Sequence, residues 1–94
     1  MASIGVLTLE IVLQDSHSLK DKRHVVKSLK DRLRNKFNVA VAEIDYHDLW
    51  QRAAVAAVTV SSDHAHAEQV LQSVEEEAAA LLGPELASAT VEWM

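Results

Sequence analysis

The chain has 94 residues, of which 49% are hydrophobic, so it can form one domain with a single small core. It has no cysteine, which excludes disulfides, thiolate metal sites and cysteine nucleophiles, and its two glycines cannot form a glycine-rich phosphate loop. The net charge is −5, no apolar run approaches the ~20 residues that span a bilayer, and the first residues show no secretion signal. We therefore expect a single cytoplasmic domain over residues 1–94 that does not associate with membranes.

The first half of the chain predicts a strand and a helix. Residues 4–13 alternate between two faces, with leucine and isoleucine on one of them, as a half-buried strand does. Ser18 is a suitable helix N-cap, and Asp21, three positions later, completes a capping pattern. The apolar stripe of this helix consists of Leu19, Val26, Leu29, Leu33 and Phe37. We expect the helix to end at Asn38.

The second half predicts three strands and a second helix. The strands are residues 39–46, 52–61 and 87–93, and the helix lies between the last two. Ser62 or Asp63 caps this helix, and Gly83 followed by Pro84 ends it. Its apolar residues are Ala67, Val70, Leu71, Val74, Ala78, Leu81 and Leu82.

The order of these elements predicts the fold. Two strand–helix–strand units joined by a short connection form the ferredoxin-like split βαββαβ arrangement, an α+β fold. Right-handed crossovers place both helices on one face of a four-stranded antiparallel sheet. The predicted strand order is 4-1-3-2.

Charge is strongly segregated along the chain. The segment from Lys20 to Lys36 has eight basic and two acidic residues, a net charge of +6, whereas the rest has one basic and twelve acidic residues, a net charge of −11. A stripe of five cations on the first helix has spacings of three and four residues, which keeps its members on one side over about 21 Å. These residues are Lys20, Arg23, Lys27, Lys30 and Arg34.

Two interpretations of this stripe remain open. The cations could bind the phosphates of a nucleic acid, which would relieve their mutual repulsion. They could equally form exposed ion pairs with the acidic residues of the second helix, or with another subunit. The acidic residues in question are Glu68, Glu75, Glu76 and Glu77.

One face of the predicted sheet is left uncovered by the helices. We expect this face to carry Val6, Thr8, Glu10, Val12, Val39, Val41, Glu43, Val55, Ala57 and Thr59. None of them is aromatic, so the sheet is not expected to stack bases as RNA-recognition sheets do. Its valines favour a homodimer that pairs through this face, and the candidate interface residues are Val6, Val12, Val39, Val41 and Val55. A solvated sheet face is the alternative.

The remaining polar residues give little support to an enzyme. Glu43, Asp45 and Asp48 could act as paired carboxylates, but no nucleophile or oriented base accompanies them. The histidines of the second helix are two positions apart and point away from each other, so no metal is expected. We expect no cofactor and no small-molecule substrate. Trp50, in the connection between the middle strands, is more typical of a side chain that covers the end of a core than of a base-stacking platform.

Several segments of the sequence resemble the YlxP-like family of bacteria, known as domain of unknown function 503. They are residues 16–23 (SHSLKDKR), Val26, Leu29, Arg32, residues 37–39 (FNV), residues 42–43 (AE) and residues 48–52 (DLWQR). The resemblance covers nearly the whole chain and implies a ferredoxin-like fold. Family members are often encoded among genes for transcription elongation, translation initiation and ribosome maturation, which implies a role around RNA or ribosomes. The family has no established catalytic residues.

These observations together predict a small, non-enzymatic binding protein associated with RNA or ribosomes through its first helix. The positions that match the family in the basic segment are Lys20, Lys22 and Arg23. With the rest of the stripe, the candidate nucleic-acid-binding residues are Lys20, Lys22, Arg23, Lys27, Lys30 and Arg34. A homo-oligomeric structural or regulatory domain is the alternative, and a small enzyme that uses the three carboxylates is the third hypothesis.

Overall fold

A computed structural model describes all 94 residues of the chain. Its elements are β1 (Ser3–Val12), α1 (Leu19–Lys36), β2 (Ala40–Asp45), β3 (Arg52–Ser61), α2 (His64–Leu82) and β4 (Leu86–Trp93), with a 3-10 turn at Gly83–Glu85. Neither helix is long and apolar enough to cross a membrane.

The four strands form one antiparallel sheet in the order β2-β3-β1-β4. This is the predicted order read from the opposite edge, and the predicted ferredoxin-like fold is confirmed. The central pair is β1 and β3, which align over ten residue pairs from Ser3↔Ser61 to Val12↔Arg52. The two outer strands, β2 and β4, therefore form the edges of the sheet.

Both helix starts are capped as the sequence predicts. The hydroxyl of Ser18 accepts a hydrogen bond from the Asp21 N–H at 3.1 Å, and the Asp21 carboxylate accepts one from the His17 N–H at 3.0 Å. The carboxylate of Asp63 accepts from the Ala65 N–H at 3.0 Å at the start of α2. Each cap satisfies N–H groups that the first helical turn leaves without a backbone partner.

The two helices end at different kinds of residue. Gly83 ends α2 with a φ of 58°, a conformation that a side chain would strain. The first helix ends at Lys36, two residues before the predicted Asn38.

The core lies between the sheet and the helices. The fully buried side chains of β1 (Leu7, Leu9 and Ile11) meet those of α1 (Val26, Leu29 and Leu33) and α2 (Ala67, Leu71, Val74 and Ala78). The apolar stripes predicted for both helices therefore largely form this core, although Leu81 is 37% exposed. α2 comes close to β1 at Gly5, where an added Cβ would lie 2.6 Å from Leu71 Cδ1 and 2.7 Å from the Trp93 ring.

The prediction of which residues lie on the open face of the sheet was wrong for β2 and β3. Cross-strand partners share a face, and Val55 pairs with Leu9 of the buried row of β1. Val55 is fully buried beneath the helices, and Val39 and Val41 pack against the same core. Glu43, Ala57 and Thr59 also lie on the side of the sheet that faces the helices. The expected interface residues Val39, Val41 and Val55 are therefore not available on the open face, whereas Val6 and Val12 are.

Candidate functional site

The basic stripe of α1 borders a groove on the outer side of the helix, next to the edge strand β2. This basic groove is lined by Arg23, Lys27, Lys30 and Arg34, together with Val26, Asp31 and Glu43. Lys20 continues the row of cations one turn toward the start of the helix, where a second depression is lined by Lys20, Asp21, Arg23, His24 and Lys27. The 3-4 spacing follows the helical period, so it keeps all five cations along one flank of α1, beside the core-facing side.

The positive charge of the basic groove is poorly compensated. Lys27 forms a salt bridge of 2.7 Å with Asp31, one turn later on the same helix. The hydrogen bond from Lys27, with the nearby charges of Arg34 and Lys30, lowers the pKa of the Asp31 carboxyl below its ordinary value. The other four cations of the stripe have no carboxylate within 4.0 Å. Four exposed or half-exposed positive side chains are thus free to meet an anion.

Ion pairs between the two helices use different residues. Glu77 of α2 lies 3.0 Å from Arg32 and 2.6 Å from Lys36, both on the other flank of α1. The hydrogen bond from Lys36, and to a smaller extent the one from Arg32, lowers the pKa of the Glu77 carboxyl. The alternative in which the basic stripe pairs with α2 is therefore wrong for this chain, because Arg32 and Lys36 supply that pairing.

Lys22 was expected among the nucleic-acid-binding residues, but the structure buries it. Its side chain is 1% exposed. Its Nζ donates hydrogen bonds to the backbone carbonyls of Tyr46 at 2.7 Å and His47 at 3.1 Å, and lies 3.2 Å from Glu43 Oε2. Lys22 is therefore a structural residue that ties the connection between β2 and β3 to the first turn of α1.

The burial of Lys22 has a signal in the sequence. Lys22, Val26, Leu29 and Leu33 are spaced by four, three and four residues, so Lys22 shares the core-facing side of α1. Its charge suggested a surface position, but the helical spacing indicates the opposite. The carbonyls that accept its hydrogen bonds come from a loop with a left-handed residue, Tyr46 at φ 62°, which sequence reasoning did not locate.

The connection between β2 and β3 is fixed at both ends but exposes its middle. At its second end the Leu13 N–H donates to the Gln51 carbonyl at 2.9 Å, and Gln51 Nε2 donates to the Gln14 carbonyl at 3.2 Å. Leu49 and Trp50 remain 46% and 53% exposed. The prediction that Trp50 covers the end of the core was therefore wrong.

The carboxylates considered as a paired acid–base site have separate partners. Glu43 faces Lys22, and Asp45 accepts a hydrogen bond from the N–H of Tyr46 at 2.7 Å. Asp48 lines a different surface, a shallow groove around Trp50. No group of three or more histidine or acidic side chains is arranged to hold a metal ion.

Comparison with known proteins identifies the family of this chain. The family model described as "Protein of unknown function (DUF503)" matches residues 4–91. The chain is also 44% identical over 71 residues to the uncharacterized protein YlxP of Bacillus subtilis (strain 168), a match that covers 76% of this chain and 77% of that protein. The chain therefore belongs to the DUF503 family, and the resemblance to YlxP-like proteins is confirmed.

Solved structures with the same fold have little sequence in common with the chain. The de novo designed protein Foldit4 superposes with a TM-score of 0.64 at 11% identity, over 100% of this chain and 97% of the design. A dimeric ferredoxin-like protein of unknown function from Thermobifida fusca superposes with a TM-score of 0.52 at 18% identity, over 97% and 90% of the two chains. At these identities the likeness shows the shared fold alone.

Proposed function

We propose that this DUF503 protein is a non-enzymatic cytoplasmic protein that binds RNA, in the context of the ribosome, through the basic groove of α1. The observation that carries the proposal is the row of cations along one flank of the helix, four of which have no carboxylate within 4.0 Å. The gene neighbourhood implied by the family resemblance supports RNA over other polyanions.

The chemistry of the groove suits phosphate contacts. Lysine and arginine side chains position a protein on a nucleic acid backbone without reading its sequence. The acidic remainder of the chain repels a polyanion, so it would direct the RNA to the α1 side of the molecule. Because phosphates attract these cations through charge, we expect the affinity to depend steeply on salt.

Substitution of two unpaired cations tests this proposal. Arg23→Gln with Lys30→Gln removes two charges from the groove and leaves the core unchanged, since neither residue belongs to it. If all five stripe cations contact phosphates, the slope of log affinity against log salt is about −3.5 on single-stranded RNA, and the double variant should reduce its magnitude to about 2. Fluorescence anisotropy with a labelled RNA at several salt concentrations measures both slopes.

The control is Arg32→Gln with Lys36→Gln. It makes the same change in charge on the same helix, but on the flank that already pairs with Glu77. The proposal requires the control to lose less affinity than the groove variant. Equal losses in the two variants, or no RNA affinity in the parent at about 50 mM salt, where phosphate contacts are strong, would contradict it.

A second candidate function is self-association through the open sheet face. With the corrected assignment, the middle of this face is built from small and branched apolar residues. They are Val6, Ala40, Ala42, Ala54, Ala56 and Val58, with Val12 and Val60 toward the ends, Thr8 and Glu10 among them, and Arg52 toward the rim. A patch of this kind is typical of an interface between proteins.

Val58→Lys tests the second candidate, because it places a charge in the middle of the apolar patch. Sedimentation equilibrium should show a dimer for the parent and a monomer for this variant. Ser73→Lys, an exposed position on α2, is the matched control and should remain dimeric. A parent that is monomeric at tens of micromolar, where an ordinary interface is about half formed or more, would rule the candidate out.

A further inference from the structure

The connection between β2 and β3 forms a second groove that the basic stripe does not include. This loop groove is shallow, has a volume of about 590 Å³, and is lined by Asp48, Leu49, Trp50, Gln51 and Arg52. An exposed tryptophan on a loop is often explained by a mobile connection, but this loop is held by buried Lys22 at one end and by Gln51 at the other. Trp50 is therefore presented to solvent from a fixed backbone.

Two planar groups line the loop groove. Trp50 is 53% exposed. The Arg52 guanidinium lies 4.1 Å from the centroid of the Tyr46 ring and donates a hydrogen bond to the Tyr46 hydroxyl at 3.2 Å, which holds its plane in place. Aromatic rings and guanidinium planes are the surfaces on which proteins stack unpaired bases. A carboxylate beside them, such as Asp48, can accept a hydrogen bond from the exocyclic amino group of a base.

Contacts of Lys22 connect the loop to the basic groove. Glu43 lines the basic groove together with Arg23, and its carboxylate is 3.2 Å from Lys22 Nζ. The same Nζ donates to the carbonyls that begin the loop. A strand whose phosphates follow α1 toward its first turn would therefore arrive beside the loop.

We propose that the loop groove binds an unpaired nucleobase of the RNA, with Trp50 as its stacking platform and Lys22 as a positioning residue that fixes the loop. This inference rests on the proposed function and makes it more specific, because it assigns single-stranded RNA to the site. A base within a perfect duplex is stacked between its neighbours and cannot reach the loop. The lining of the loop groove has one acidic and one basic residue, Asp48 and Arg52, so it attracts a phosphate less than the basic groove does, which is consistent with the base, rather than the backbone, occupying it.

Trp50→Ala, compared on two RNA ligands, tests the inference. The ligands are a short unstructured RNA and a blunt-ended duplex that contains the same sequence. We expect the single strand to bind about 5- to 150-fold more weakly to Trp50→Ala, the effect of removing one stacked base, while the duplex affinity stays unchanged. Trp50→Phe should recover much of the loss, because it keeps an aromatic face.

A fluorescence measurement gives a direct readout of stacking. In a Trp93→Phe background Trp50 is the only tryptophan, and single-stranded RNA should quench its emission while duplex does not. Trp93 itself lies on an edge strand against His64 and pairs with Gly5, at the end of β1 away from the loop, so its replacement leaves the loop groove intact. Equal affinity of the parent and Trp50→Ala for the single strand, with no quenching, would overturn the inference.

The two proposals fail in different ways. If Arg23→Gln with Lys30→Gln weakens RNA binding and Trp50→Ala does not, the basic groove binds RNA and the base site is wrong. If the parent binds neither RNA ligand, both are wrong. Circular dichroism and melting temperature should be unchanged in Trp50→Ala, because this side chain is outside the core.

Discussion

Lys22 shows how one residue of the basic segment serves the fold rather than a ligand. Its ammonium group is buried at 1% exposure, with two carbonyl acceptors and one carboxylate around it. A buried charge is tolerated only when it is paired and hydrogen-bonded, and this site meets that condition. The consequence is that the loop carrying Trp50 depends on α1 for its position.

We predict that Lys22→Met destabilises the protein by about 3 kcal/mol, the lower end of the range for breaking a buried pair. The variant leaves the Glu43 carboxylate without its ion-pair partner and the carbonyls of Tyr46 and His47 without their shared hydrogen-bond donor. Urea unfolding followed by circular dichroism measures the change.

Lys20→Met is the matched control for Lys22→Met, since Lys20 is exposed and makes no ion pair; it should change stability by less than about 0.5 kcal/mol. Adding Glu43→Leu to Lys22→Met should recover only part of the loss, because the two carbonyls stay unsatisfied. Equal stability of Lys22→Met and Lys20→Met would contradict the structural role of Lys22.

Residue type and residue spacing gave opposite predictions at this position. The charge of Lys22 placed it on the surface, whereas its spacing from Val26, Leu29 and Leu33 placed it in the core, and the spacing was right. For Trp50 neither residue type nor spacing predicts the exposure of the side chain. No local pattern distinguishes a tryptophan that covers a core from one held outside it, because its exposure depends on hydrogen bonds that reach the loop from Lys22 and from residues 13 and 14.

At the scale of elements, α1 has two flanks with different partners. One flank forms the basic groove, and the other is tied to α2 by the two ion pairs of Glu77. The ion pairs of Glu77 fix the rotation of α1 about its own axis, so the unpaired cations face solvent. This division follows from the helical period, because Arg32 and Lys36 are four residues apart on a line that Arg23, Lys27, Lys30 and Arg34 do not share.

The Glu77 pairs predict a pH dependence of stability. The pKa of Glu77 is lowered from its ordinary value of 4.5 in the folded protein, so its contribution is fully present above that value and is lost as pH falls through the lower folded pKa. Glu77→Gln should therefore be less stable than the parent near pH 7, and the two should converge in acid. Urea midpoints measured at a series of pH values test this.

Glu76→Gln is the control for this dependence, because its carboxylate forms no ion pair with α1. It should show no comparable gap from the parent at neutral pH. Added salt should also shrink the gap for Glu77→Gln, since these pairs are exposed to screening. A gap that stays constant from neutral to acid pH would mean that the Glu77 charge is not its source.

The faces of β3 illustrate the limit of pattern reasoning for an element. Residues 53–58 are all alanine or valine, so both faces of the strand are apolar and alternation cannot tell them apart. The buried face is set by the register with β1, where Leu9 faces Val55 and Ile11 faces Ala53. On β1 the prediction was correct, because the larger leucine and isoleucine side chains gather on one face and Thr8 and Glu10 lie on the other. A one-residue difference in register exchanges the two faces completely.

The whole molecule is an elongated body with its charge divided between sides. Element order and the right-handed crossover rule were enough to predict its topology, since each segment has a clear period and a cap or turn at its end. The candidate surfaces required the three-dimensional arrangement, because they combine residues distant in sequence, such as Arg23 with Glu43. The open sheet face and the basic groove share no residue, and Arg52 alone belongs both to the rim of that face and to the loop groove.

This division of charge gives a prediction about long-range repulsion. The acidic residues Glu75 and Glu76 of α2 are exposed and form no ion pair, and α2 meets α1 through the flank opposite the basic groove. The molecule measures 45 × 22 × 20 Å along its principal axes. The Debye length is about 30 Å at 0.01 M salt and about 8 Å at 0.15 M, so the field of these acids crosses the molecule only at low salt.

Glu75→Gln with Glu76→Gln should therefore raise RNA affinity at about 0.01 M salt and leave it unchanged at about 0.15 M. Anisotropy titrations at the two concentrations check this. A gain that persists at the higher salt would show that these glutamates lie beside the bound RNA, which would place the binding site on α2 and not in the basic groove.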